Sequence, residues 1–91
     1  MNRIHIEFFG IARQRVGEPS TTVAADGPTP LSIVLSELEN RFPELAPDCI
    51  QDGRLSKTCA ANLNGDRFIS DSDFTLRPTD RLLIMSADAG G

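Results

Sequence analysis

The chain has 91 residues, 40% of them hydrophobic and 24% charged, which suits one globular domain and excludes a disordered chain or a fibrous repeat. Thirteen acidic residues against nine basic ones give a formal net charge of −4, with no stripe of Lys or Arg to track a phosphate backbone, so nucleic acid is not an expected partner. The longest apolar stretch, Leu82 to Ala87, is far too short to span a bilayer, and strand-like alternation stands where a signal peptide would carry its apolar block, so a cytoplasmic protein without a membrane partner is expected.

At the start, Ile4, Ile6 and Phe8 alternate with His5, Glu7 and Phe9, the period of a strand with one face on a core. Gly10 and Gly17 bracket a piece long enough for one or two helical turns, and the β-branched run after Pro19 predicts a second strand over residues 20–25, antiparallel to the first. Thr29 and Pro30 read as a helix start, a capping hydroxyl followed by a residue that needs no N–H partner. Leu31, Val34, Leu35, Leu38 and Phe42 then follow at helical spacing until Pro43 closes the helix.

Residues 43–54, with two prolines, three acids and a glycine, read as irregular connection with one short turn. Extended character returns over residues 57–63, Asn64-Gly65 signals a hairpin because both tolerate positive φ, and residues 66–70 are its return strand. Residues 71–76 read as an acidic loop, Arg77 to Asp80 as a type I turn, and residues 81–87 as the last strand. That strand is apolar on both sides, as a central strand should be. With Leu82 and Ile84 facing the helix, Leu83 and Met85 face outward, and Phe9 joins them if the first and last strands are neighbours. Such an exposed cluster marks a contact surface.

The side chains offer little chemistry of their own. Cys49 and Cys59 stand ten positions apart with a single histidine, His5, giving neither a CxxC pair nor four zinc ligands, so they read as reduced thiols and no metal site is expected. Asp71 and Asp73 read as solvated loop carboxylates, and Lys57 and Arg67 as solvated surface. No nucleophile, base and orienting group come together, which argues against an autonomous enzyme. The chain ends instead on Gly90-Gly91, bare backbone with an unhindered carboxylate, suited to threading into a narrow space.

These parts, in this order, resemble a known family. The opening Phe8-Phe9-Gly10-x-Ala12-Arg13, the helix after Thr29-Pro30, the Asn64-Gly65 hairpin, the last strand and the Gly-Gly end are similar to the small subunit of molybdopterin synthase and the related ThiS-type ubiquitin-like sulfur carriers. The resemblance implies an α+β fold of the β-grasp type, a mixed sheet of about five strands packed on one main helix, with residues 1–86 as the domain and residues 87–91 as a flexible reactive tail. It implies a carrier rather than an enzyme, the sulfur-donating subunit of a sulfurtransferase complex.

The reactive group is then the carboxylate of Gly91, an anion of pKa about 3.5 and a poor electrophile until it is activated. In the family an ubiquitin-activating-type adenylating enzyme uses ATP to form the glycyl-adenylate, and a sulfur donor displaces AMP to leave a thiocarboxylate. The large subunit of molybdopterin synthase then transfers that sulfur to a pterin precursor. No cofactor stays bound to the carrier.

Five extended residues reach roughly 17 Å into a partner. Ordering them has an entropic cost that a docking surface must offset, and Phe9, Leu83 and Met85, with Arg13 and Phe68 at the rim, are the residues for it. The tail departs from the pattern in one respect: Ser86, Ala87, Asp88 and Ala89 precede the glycines where the synthase subunits commonly carry prolines. That leaves open which acceptor the carrier serves, whether pterin, thiazole, cysteine or tRNA thiolation. Attachment to protein lysines as a ubiquitin-like modifier, and a plain binding module, also remain open.

Overall fold

The computed structural model describes residues 2–87. Strand β1 (Arg3–Phe8) buries Ile4, Ile6 and Phe8 and turns His5 and Glu7 to the other face, as the alternation predicts. A short helix α1 (Gly10–Val16) follows, with Ala12 in the core, and it ends at Gly17, whose left-handed backbone (φ 80°) lets its N–H reach the carbonyl of Arg13. Strand β2 (Ser20–Ala24) pairs antiparallel with β1, Ile4 opposite Val23.

The main helix α2 (Leu31–Arg41) buries Leu31, Val34, Leu35 and Leu38, and Phe42 just beyond it meets Phe8 edge-on at 5.7 Å. Its start differs from the expectation. Thr29 does not cap the helix, because Thr29 and Pro30 form a two-residue strand β3 (Thr29–Pro30) and the Thr29 hydroxyl donates to the carbonyl of Gly27. The first free N–H groups of α2 go instead to backbone carbonyls of a distant loop, Leu31 to Phe74 at 2.7 Å and Ser32 to Ser72 at 3.1 Å. That loop, read from sequence as acidic and irregular, holds β8 (Thr75–Leu76), the antiparallel partner of β3.

The connection after α2 is more ordered than its prolines suggest. A 3₁₀ turn (Pro43–Leu45) buries Leu45, and the small hairpin of β4 (Ile50–Gln51) and β5 (Arg54–Leu55) follows. Asp52 and Gly53 take the positive φ angles of its turn, 55° and 72°, and both of their N–H groups donate to the Glu39 carboxylate on α2. The second hairpin, β6 (Cys59–Leu63) and β7 (Arg67–Ile69), turns at Asn64-Gly65 as predicted. Strand β9 (Arg81–Ser86) follows the turn closed by the Asp80 N–H on the Arg77 carbonyl.

These strands form a five-stranded sheet in the order β2-β1-β9-β6-β7, mixed because β1 and β9 run parallel. The last strand is therefore central, as its apolar character on both sides predicts. Helix α2 covers one face, where Ile4, Ile6, Phe8, Leu82, Ile84 and the α2 leucines make a single core. Cys49 lies in that core too, so the loop around it packs on the helix side, and among the described residues the other face of the sheet is left uncovered.

Candidate functional site

The uncovered face is built by register. Across the sheet Glu7, Leu83, Asn62 and Phe68 sit side by side, and Met85 lies opposite Ala60 in the next row. The Phe9 N–H donates to the Ile84 carbonyl at 2.8 Å, which carries the β1–β9 pairing one residue further and brings Phe9 beside Met85. Phe9 and Phe68 are 40% and 62% exposed, with Leu83 and Met85 half-buried between them. Four of the five residues singled out from sequence, Phe9, Leu83, Met85 and Phe68, thus form one apolar patch on the uncovered face. Arg13 projects from α1 at its rim, bordering a shallow hollow with Phe9, Glu7 and Pro19.

The patch adjoins the end of β9, the last strand among the described residues. Ser86 Oγ accepts the Ile11 N–H at 2.9 Å, and the Ala87 N–H donates to the Thr58 carbonyl at 2.7 Å, so the end of β9 is held from both sides. Gly10 is required here: it sits at φ +57°, and a Cβ would collide with the Ser86 hydroxyl. The glycine of the opening motif therefore lets the start of α1 pack closely against the end of β9. Asp88, Ala89, Gly90 and Gly91, the expected reactive segment, lie outside the described residues.

Polar groups on this face have distinct fates. Glu7 pairs with Arg81 at 3.0 Å, and both remain open to solvent. Asn64, at the end of β6, is fully engaged: its Oδ1 accepts the Arg81 N–H at 2.8 Å and its Nδ2 donates to Asp80 at 3.1 Å. Asn62 is different. It is 8% exposed, and its Oδ1 has no hydrogen-bond partner among the described residues, a burial that costs about 1–3 kcal/mol relative to a satisfied acceptor. Sequence reading missed it, because an outward position on β6 gives no sign of how far Leu83 and Phe68 enclose it.

The other groups considered from sequence stay apart. Asp71 accepts the Asp73 N–H within its own loop, and no metal-ligand cluster exists among the described residues. Arg67 is not simply solvated, since its guanidinium stacks 5.0 Å from the centre of the Phe74 ring on the core side of the sheet. Both cysteines are free and buried, and burial, together with the Cys59 S–H donating toward Cys49, pushes the Cys59 thiol up to about 12. Among the described residues no helix is long and apolar enough to cross a membrane.

Residues 6–91 match the ThiS family, a span running from the first strand through the closing glycines. The chain belongs to the ThiS family. Among solved structures it is similar to SAMP1 from Haloferax volcanii, with a TM-score of 0.77, 20% identity, and 98% of this chain and 99% of that one covered. It is also similar to the HVO 2177 protein of the same organism, with a TM-score of 0.77 and 26% identity over 99% of this chain and 87% of that one. A candidate molybdopterin converting factor subunit 1 from Pyrococcus furiosus superposes with a TM-score of 0.76 at 15% identity, covering 94% and 98% of the two chains. No curated protein matches the sequence. As a ThiS-family member the chain is a ubiquitin-like carrier of β-grasp fold, as its opening motif and element order implied.

Proposed function

We propose that the chain carries sulfur as a thiocarboxylate on Gly91 and acts in molybdenum cofactor biosynthesis as the small, sulfur-donating subunit of a molybdopterin synthase. The observation that supports this most directly is the extent of the family match, which includes the Gly-Gly end. The central strand that precedes that end carries Leu83 and Met85 of the apolar patch, with Phe9 and Phe68 exposed beside them. The Phe8-Phe9-Gly10-x-Ala12-Arg13 opening and the length of the chain favour the pterin route over the shorter thiazole carriers.

In this reading the Gly91 carboxylate attacks the α-phosphorus of ATP on the adenylating enzyme, and pyrophosphate leaves. A sulfide nucleophile then attacks the acyl carbon, a C–S bond replaces the C–O bond to phosphate, and AMP departs. ATP belongs to the activating enzyme, and the carrier supplies no acid or base to either step. Its own residues dock and deliver: Phe9, Leu83 and Met85 provide the apolar contact, Phe68 and Arg13 its edges, and Ala89, Gly90 and Gly91 the segment narrow enough to enter an active site, with Asp88 at its base.

Intact mass spectrometry after incubation with the adenylating enzyme, ATP and sulfide tests this. One oxygen-to-sulfur exchange on the last residue is expected, followed by its loss when the large subunit and the pterin precursor are added. An unaltered mass would reduce the chain to a binding module. A loaded carrier that retains its sulfur in the presence of the pterin system would belong to another route, and attachment to lysine would make it a modifier.

A further inference from the structure

We propose that Asn62 is the specificity-determining contact of the docking face, accepting a hydrogen bond from a neutral donor, a hydroxyl or backbone N–H, that the adenylating enzyme presents between Leu83 and Phe68. The inference rests on the reading of this face as the surface on which that enzyme seats. Asn62 stands between Leu83 and Phe68 in the register, within the apolar patch rather than at its border. Its Oδ1 is withdrawn from water and unpaired among the described residues, whereas Asn64, two residues along the same chain, has a partner at each end of its amide. The amide of Asn62 therefore contributes nothing visible to the fold, and an apolar side chain of similar size would suit the position better.

The surroundings select the donor. Leu83, Met85, Ala60 and Phe68 offer no counter-charge, and the Glu7 carboxylate in the same row is already paired with Arg81. A lysine or arginine brought there would be desolvated for one neutral acceptor, a poor exchange, while a neutral donor gives up much less hydration. A half-turn about the soft terminal torsion of the amide brings the acceptor to the surface. The contact also sets register. Leu83 lies four residues before Ala87, roughly 13 Å along the strand, so a donor seated at Asn62 fixes how far the tail reaches into the enzyme. A protein with the right apolar shape but no donor strips water from the turned-out acceptor, or meets the amide turned inward, and in either case gains no bond from it, so it binds less well.

ATP–pyrophosphate exchange by the adenylating enzyme, with the full chain as substrate, reads this directly. For Asn62→Leu the KM for the carrier should rise about tenfold with kcat retained, while the thermal midpoint holds or rises because an unpaired buried acceptor is removed. An unchanged KM, with the wild-type chain active, would overturn the role of Asn62 and leave the docking reading intact. A fall in the thermal midpoint would make Asn62 a residue of the fold and likewise overturn it. If the wild-type chain supports no exchange, the docking reading fails and the inference fails with it.

Discussion

Cys59 shows what the interior does to a reactive group. The residue is 6% exposed, and burial first, then donation of its S–H toward Cys49, raises the thiol from an ordinary 9.0 to about 12. Thr58 works in the opposite direction by bonding to the thiolate, and Asp48 adds to the rise. Between those two values the folded chain keeps a proton that the unfolded chain has lost, so stability falls as pH climbs through that window and is fully present below pH 9. Denaturant titrations should therefore show a lower midpoint at pH 10 than at pH 8. Iodoacetamide at pH 8 should label neither cysteine of the native chain and both after unfolding, while fast native labelling would place the thiol in a polar setting. The sequence reading of two inert, reduced thiols needed only the missing CxxC spacing; their mutual contact depends on how residues 46–58 pack over the core.

At the scale of elements, the start of α2 separates local signals from tertiary ones. Thr29-Pro30 carries the local signature of a capped helix, yet the backbone carbonyls of Phe74 and Ser72 satisfy the first turn, and β3 pairs with β8. Thr29→Ala should consequently cost less than about 0.5 kcal/mol in chemical denaturation, where a true N-cap would cost about 1 kcal/mol. A loss at the larger value would mean that the hydroxyl caps the helix in solution. The core strands and helix were legible because their periods are local: Ile4, Ile6 and Phe8 on β1, Leu31 to Leu38 on α2, Leu82 and Ile84 on β9. The β4–β5 hairpin left a readable signal in Asp52-Gly53, a favoured pair for such a turn, but the prolines nearby outweighed it. For β8 no local signal exists, since two residues become a strand only because β3 comes to them from more than forty positions away.

At the scale of the whole molecule, the proposed function divides the labour between the sheet and the C-terminal residues, and the division can be tested. The sheet places its last strand at the centre, with Leu82 and Ile84 in the core and Leu83 and Met85 on the opposite face. Under the proposed function, deleting Gly91 should leave the thermal midpoint unchanged and abolish adenylation, because it removes the terminal position assigned there to the acyl-adenylate. Met85→Asp acts on the other half of the arrangement. Met85 is half-buried on the uncovered face, opposite Ala60, so a carboxylate there can stay hydrated in the free domain but must be desolvated against an apolar partner. Binding of the adenylating enzyme, followed by titration calorimetry, should weaken at least about tenfold, or about 1.4 kcal/mol, with the thermal midpoint nearly constant. If Met85→Asp instead unfolds the domain, the face is part of the core; if Gly91 deletion lowers the midpoint, the tail is structural. Each result alone would break the link between platform and tail, because a carrier of this design needs a surface that can change without the fold and an end that can be removed without it.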